Sequence, residues 1–229
     1  MIDVETSRRL TARTSFLDYG HEKVQDFIGQ AVGDSTSQKD QAVRLYYAVR
    51  DKVNYEVYRQ DLSPAGLRSS AIAARGEGFC VQKSILYASA VRSLGIPSRL
   101  VISEVRNHLA SPQLKALVGG ETFVHWLTSI YLDGQWLRVT PVFNKILCRL
   151  YGMHALEFDG ASDAELHPFA EGQQMEFVTE HGEFDDVDYE QNIGLMRSRH
   201  PGMFANGTVV PGEGSLRTEA QGASDTLQG

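Results

Sequence analysis

The segment from Val81 to Leu94 constrains the fold most, because it is apolar at helical spacing and is bounded by glycines on both sides. The run Gly76-Glu77-Gly78-Phe79-Cys80 predicts a turn immediately before this segment. Gly95 and Pro97 predict its end, since glycine adopts the left-handed cap and proline cannot continue a helix. The sequence therefore predicts a helix that opens at Cys80.

Strands are predicted directly after this helix. Ser98 to Val105 alternates between apolar and polar residues, as a half-buried strand does. Glu121 to Tyr131 and Gln135 to Val139 are two further strand-like runs, joined by Asp133-Gly134, which is a strong signal for a two-residue hairpin. We therefore predict an α+β fold in which the helix packs on a mostly antiparallel central sheet.

The flanking segments predict additional elements around this centre. Helical spacing predicts a helix from His21 to Val32, and the segment from Thr36 to Val57 is typical of a helix followed by a strand. After Pro141 the pattern is irregular, with a short helix predicted near residue 146 and a strand from Met175 to Val178.

The domain organisation follows from length and composition. A chain of 229 residues suffices for one large domain. We expect a single domain over residues 1–204, with a core at about 36–145 and an acidic extension at about 146–204. The last ~25 residues, 205–229, are rich in Gly, Ser, Thr and Gln and are predicted to be a disordered tail.

Charge and composition exclude several classes of protein. The net charge is −7, and the segment from Ala155 to Glu190 holds twelve acidic residues and no Lys or Arg. Such a segment repels phosphate backbones, so we expect no nucleic-acid partner and favour a solvated acidic surface over one that attracts cations or amines. We find no membrane-spanning stretch, and we see neither a secretory signal nor enough cysteines for a disulfide framework. We therefore expect a cytoplasmic protein with free thiols and no membrane partner.

Cys80 is the candidate nucleophile, because it follows a glycine-rich turn and opens an apolar helix. The positive end of a helix stabilises a thiolate, and Gly78 lets a substrate approach the backbone closely. The backbone N–H of Cys80 could donate to a developing oxyanion. His125, in the predicted strand between Val124 and Trp126, is the candidate base. The alternative is that Cys80 is a small buried residue and His125 a structural histidine.

These motifs, taken together and in order, resemble the core of the bacterial transglutaminase-like proteins. The resemblance covers roughly Val43 to Thr140 and is carried by Gly78-Phe79-Cys80, Leu94-Gly95-Ile96-Pro97-Ser98-Arg99, His125-Trp126 and Gly134-Gln135-Trp136. It implies the active-site layout of papain-like cysteine proteases, with a cysteine at a helix start, a histidine on one strand and an acid on the next. Members of that family include transamidases, peptidases, amidases and inactive relatives.

The chain departs from the family pattern at the third catalytic position. The strand after the family's tryptophan usually ends in Asp, and Thr140 stands there in this sequence. Threonine can accept a hydrogen bond from the histidine ring but supplies no charge. We favour Thr140 as the positional equivalent, and Asn144 and Asp159 are candidate substitutes if the following loop folds back.

Other residues are weaker candidates for the site. Gln82 could donate to an oxyanion or lie exposed on the helix surface, and Asn107 could line the cleft or belong to a solvated loop. Cys148 is interpreted as a core residue. The histidines are scattered without metal-ligand spacing, so we expect neither a metal nor a cofactor.

The resemblance implies cysteine-dependent acyl transfer on an amide, ester or thioester carbonyl through a covalent acyl-enzyme. Water as the acceptor would make the protein an amidase or peptidase, and an amine acceptor would make it a transamidase. The expected partners are a peptide, amide or thioester substrate and, for transfer, an amine. The alternative is a catalytically inactive binding or scaffold protein that kept the fold.

Overall fold

We analysed a computed structural model, which describes residues 2–106, 111–150, 153–165 and 176–219. Its α-helices are α1 (Val4–Leu10), α2 (Glu22–Val32), α3 (Gln38–Lys52), α4 (Ser69–Arg75), α5 (Cys80–Ser93), α6 (Pro112–Val118), α7 (Lys145–Leu150) and α8 (Gly194–Arg199). A π-helical turn, Tyr189–Ile193, precedes α8, and a 3₁₀ turn, Pro201–Phe204, follows it. The strands are β1 (Asn54–Tyr55), β2 (Glu77–Gly78), β3 (Ser98–Arg106), β4 (Thr122–Leu132), β5 (Gln135–Val139) and β6 (Glu176–Phe184).

The main sheet has four strands in the order β5-β4-β3-β6, and every neighbouring pair is antiparallel. The hairpin between β4 and β5 turns at Asp133 and Gly134, which both have positive φ, at 49° and 87°. That backbone is the one a two-residue turn requires between twisted strands. β1 and β2 form a separate short parallel pair. The predicted α+β class with a central antiparallel sheet is confirmed.

Helix α5 is the centre of the molecule, and every residue from Cys80 to Arg92 is buried. It contacts α3 and α4 on one side and strands β3 and β4 on the other. Ser84 ties the helix to the sheet, because its Oγ donates to Trp126 O at 3.0 Å and its carbonyl accepts from Thr128 Oγ1 at 3.2 Å. The helix therefore holds its first residue at a fixed place beside β4.

The acidic segment contributes a full sheet strand, whose residues are mostly exposed. β6 is nine residues long and pairs with β3, so it extends well past the predicted end at Val178. Glu180 and Glu183 both bind Arg138 of β5, at 2.8 Å and 3.0 Å. The residues of β6 stay mostly exposed, and some of its acidic residues also pair with arginines of the sheet.

The predicted disordered tail was wrong for residues 205–219. Val210 is fully buried, and Leu216 is 2% exposed and donates its N–H to Glu56 Oε2 at 3.2 Å. Composition averages over the segment, whereas these two apolar side chains suffice to anchor it against the core. Residues 220–229 lie outside the described part of the chain, and the division into one domain and an extension stays a prediction. Among the described residues no helix is long and apolar enough to cross a membrane.

Candidate active site

The turn before α5 fixes the position of Cys80. Gly78 pairs with Tyr55 in the short parallel β1–β2 sheet, and Phe79 is the extended residue before the helix. A Cβ atom on Gly78 would lie 2.5 Å from Cβ of Gln82, so only glycine fits this close approach. The chain therefore enters α5 at one defined angle, with Cys80 as the first helical residue.

The sulfur of Cys80 lies against the backbone of β4 on both sides of His125. Sγ is 3.9 Å from the carbonyl oxygen of Val124, and the backbone N–H of Trp126 lowers the pKa of the thiol. The β5 partner strand begins to pair only at Thr128, so this edge of β4 is open to the start of the helix. The two predicted catalytic residues are thus brought together, through the backbone groups that flank His125.

Burial raises the pKa of the Cys80 thiol to about 11. The backbone N–H groups of Trp126, Val81 and Cys80 itself act in the opposite direction and lower this pKa. Because burial outweighs them, the sulfur carries its proton at neutral pH. The expectation of a thiolate held by the helix end is therefore corrected: the resting group is a thiol.

Cys80 and His125 line one cavity of about 60 Å³. Cys80 is 6% exposed and His125 5% exposed, so both face the protein interior next to this cavity. The rest of the wall consists mainly of apolar side chains from all parts of the chain, among them Val105, Leu114, Val118, Phe143, Leu147, Met153, Met196, Met203 and Leu216. The site is a small and predominantly apolar pocket that a thiol and an imidazole help to line.

Thr140 follows β5 directly and is 1% exposed. The register pairs Thr128 with Val139, so continuing it by one residue places Thr140 opposite Leu127. Strand alternation then puts Thr140 and His125 on the same face of the sheet. They are diagonal neighbours, because His125 lies two residues before Leu127 on β4. Within the described part of the chain the Thr140 hydroxyl has no hydrogen-bond partner, so it does not bond to the ring.

Asn144 and Asp159 are the candidate substitutes for the catalytic acid. The side-chain amide of Asn144 donates to Arg50 O and to Val53 O, at 2.9 Å for the second, and its oxygen accepts from Tyr55 N–H at 2.6 Å. Its polar atoms are therefore committed to joining the end of α3 to β1. Asp159 is exposed in a turn, where it accepts from two following backbone N–H groups that lower its pKa. Both side chains thus bind backbone groups of other residues, and their role as substitutes for the catalytic acid stays a prediction.

Gln82 is buried, which excludes the exposed alternative. Its Oε1 accepts from Phe79 N–H at 3.3 Å, so the side chain bends back over the start of the helix. Its Nε2 has no partner among the described residues, which leaves a buried donor near the turn. Asn107 lies outside the described residues.

Sequence reasoning missed two buried polar residues near the site. His200 is among the residues that line the cavity, and Val124 N–H donates to its Nε2 at 2.9 Å. Lys83 is fully buried, and its Nζ donates to Arg50 O and Val53 O at the end of α3. Lys83 lies one turn after Cys80, which could have suggested a role for it, whereas nothing in the sequence links His200 to β4.

The fold and the site define a class of protein in which a cysteine opens a buried helix and lies beside a histidine of an antiparallel sheet. The sequence model of the transglutaminase-like superfamily matches residues 25–141, which is about half of the chain. This protein belongs to the transglutaminase-like superfamily, a general family of cysteine-dependent enzymes.

The chain is similar to a solved structure from another organism. It is a crystal structure of a candidate cysteine protease from Cytophaga hutchinsonii, with a TM-score of 0.47 and 14% sequence identity. The similar region covers 61% of this chain and 43% of that protein, so the present chain spans less than half of its length. No curated protein matches the sequence.

Proposed function

We propose that the protein catalyses acyl transfer through a covalent intermediate on Cys80, with His125 as the general base. The observation that carries this proposal is that Sγ lies 3.9 Å from the carbonyl oxygen of Val124, the residue before His125, and that Cys80 and His125 line one cavity. A cysteine that served only as a core residue would not need to share a cavity with the neighbouring histidine.

The chemistry begins from a neutral thiol and an imidazole, because burial raises the pKa of Cys80. As the sulfur attacks a carbonyl carbon, His125 takes the thiol proton, and it then returns the proton to the leaving group. The N–H groups of Cys80 and Val81 lie in the first turn of α5, and we assign to them the binding of the oxyanion. Each such donor is typically worth ~3 kcal/mol in the transition state.

The acceptor decides the outcome of the reaction. Water would release a carboxylic acid, and an amine would give an amide product, so the proposed substrates are an amide, ester or thioester together with one of these acceptors. We propose no metal or cofactor for this chemistry. Its proposed setting is the cytoplasm, where both cysteines, Cys80 and Cys148, would stay free as they are in this structure.

Covalent trapping tests the proposal. The protein is incubated with p-nitrophenyl butyrate, and intact-protein and peptide mass spectra are recorded during the reaction. We expect a burst of p-nitrophenolate and a butyryl adduct on Cys80, with both lost in Cys80→Ala. Cys148→Ala is the matched control, because Cys148 is a core residue that is only 1% exposed. This variant should keep the burst. Absence of any adduct on Cys80 would refute the proposal.

A non-catalytic binding module is the second candidate. It is favoured by Thr140, which supplies no charge to the histidine and whose hydroxyl has no partner within the described residues. It is also favoured by the burial of the thiol, which keeps its proton at neutral pH. The trapping experiment separates the two candidates, because a binding module would leave Cys80 unmodified while the protein stays folded.

A further inference from the structure

The cavity beside Cys80 is closed by a part of the chain that the family match does not cover. The match ends at residue 141. Leu147, Met153, Met196, Met203 and Leu216 all lie beyond it and all line the cavity. The part of the chain that the family model matches thus supplies the thiol and the histidine, and residues after 141 supply much of the wall that a substrate would meet.

This wall is apolar to an unusual degree for an enzyme that would act on peptides. No Asp, Glu, Lys or Arg side chain is among the described residues that line it. Three of the lining residues are methionines, whose unbranched side chains adapt to irregular apolar groups. A charged group would lose its hydration here without gaining a partner of opposite charge, which is costly.

The room in the cavity limits the size of an occupant. Its volume of about 60 Å³ is well below the roughly 150 Å³ of an engineered apolar cavity that admits benzene. An aromatic ring would require the wall to move, whereas a chain of a few carbon atoms fits with small shifts of the methionines. Cys80 is among the residues that line the cavity, so an acyl chain bound to its sulfur would extend into the cavity.

We propose that this cavity is the acyl pocket of the enzyme and that it takes a short, uncharged aliphatic acyl group. The inference rests on the proposed acyl transfer by Cys80. With a p-nitrophenyl ester as the donor, Sγ forms a bond to the carbonyl carbon and the bond from that carbon to the phenolic oxygen breaks. The thiol proton passes to His125, and p-nitrophenolate leaves with the electron pair of the broken bond.

A series of p-nitrophenyl esters tests the pocket. The acyl groups are acetyl, butyryl, 3-methylbutanoyl, decanoyl and the negatively charged succinyl, and each rate is divided by the rate of hydroxide hydrolysis of the same ester. We expect kcat/KM for butyryl and 3-methylbutanoyl to exceed that for acetyl by at least about tenfold, the discrimination that a methylene in an apolar pocket typically gives. We expect succinyl, which matches butyryl in length, to react at least about tenfold more slowly than butyryl.

The outcomes separate this inference from the proposed function. Acylation of Cys80 with equal rates for acetyl, butyryl and succinyl would refute the proposed acyl pocket, but it would support Cys80 as the nucleophile. A preference for decanoyl would also overturn it, because a ten-carbon chain does not fit the observed volume. If no ester acylates Cys80, the proposed function itself fails.

A variant of the wall provides a second readout. Met203→Ala enlarges the cavity, and we expect the preferred ester to shift from butyryl to a longer chain such as hexanoyl. Leu10→Ala is the matched control, because Leu10 is fully buried but does not line the cavity. It should lower the melting temperature without changing the order of the esters. An unchanged order in folded Met203→Ala would place the acyl group elsewhere.

Discussion

Two effects change the pKa of the Cys80 thiol in opposite directions, and the effect of burial is the larger one. The backbone N–H groups at the start of α5 lower the pKa of the sulfur and favour the thiolate, which is what the sequence predicts. The same packing removes water from the sulfur, and this raises the pKa to about 11. The proton therefore leaves the sulfur during the attack, and the base that takes it is as important as the nucleophile.

The pH dependence of alkylation should reveal the protonated resting state. In a Cys148→Ala background, the rate of iodoacetamide reaction at Cys80 is expected to rise about tenfold per pH unit from pH 7 to 9.5, without levelling off. The reason is that only the thiolate reacts and the pKa lies near 11. The reaction is quenched at a series of times, and mass spectrometry of the Cys80 peptide measures the rate. A plateau below pH 8 would instead indicate a preformed thiolate–imidazolium pair.

Thr140 is the residue at which a charge should alter the site. Thr140→Asp would place a carboxylate on the face of the sheet that holds His125, and opposite charge typically raises a histidine pKa by about one to three units. We expect faster alkylation of Cys80 at pH 7, measured as above. Thr140→Asn introduces a side chain of nearly the same shape as Asp but without the charge. It should leave the rate unchanged. Equal rates in all three proteins would show that another residue orients the ring.

The elements around the cavity are joined through one histidine. His200 donates from Nδ1 to Val118 O at 2.8 Å, at the end of α6, and accepts at Nε2 from Val124 N–H of β4. Both ring nitrogens are thus used by a neutral imidazole. A second ring proton would face the Val124 N–H group, so protonation breaks the link between the segment after α8 and β4.

Stability should consequently fall in mild acid. Burial lowers the pKa of His200 below its usual value of about 6.5. Between the lowered pKa and 6.5 the unfolded chain binds more protons than the folded protein, so the free energy of unfolding decreases as pH falls through this window. Urea unfolding at pH 7.5, 6.5 and 5.5 measures the effect.

A substitution assigns this acid sensitivity to His200. His200→Gln is expected to be less stable at pH 7.5, because the amide cannot reproduce both hydrogen bonds, and to lose less stability between pH 7.5 and 5.5 than the wild type. His154→Gln changes an exposed histidine and should keep the wild-type dependence on pH. Identical slopes for the wild type and His200→Gln would contradict the assignment.

At the scale of the whole molecule, the chain after residue 141 completes what the family core leaves open. β6 adds the fourth strand beside β3, and the segment up to residue 219 returns to cover the cavity. Glu56 holds this segment in place, since its Oε2 accepts from Leu216 N–H and its Oε1 accepts from Val57 and Tyr58. The C-terminal segment is therefore part of the folded unit.

Removing the Leu216 side chain should destabilise the entire protein. Leu216→Ala is expected to lower the free energy of unfolding by about 2–5 kcal/mol, as large-to-small changes in a core do. Val209→Ala, at a residue that is 45% exposed, should change it by less than about 0.5 kcal/mol. Urea denaturation followed by circular dichroism measures both. Equal stability of the two variants would mean that the segment is not anchored.

Local pattern was sufficient for most elements. The apolar period and the flanking glycines predicted α5 to within one residue at each end, and Asp133-Gly134 predicted the β4–β5 hairpin. Both depend on backbone preferences of neighbouring residues, which a sequence displays directly. The same pattern also identified Cys80 and His125 as the residues to examine.

Only the tertiary structure decided what surrounds those two residues. It committed Asn144 to the end of α3, left the Thr140 hydroxyl without a partner in the described chain, and placed His200 at the cavity. It also reversed the expected state of Cys80, since burial depends on elements that are distant in sequence. Spacing along a chain determines which groups a helix or a strand presents, whereas solvent exclusion and distant contacts arise only when the elements pack together.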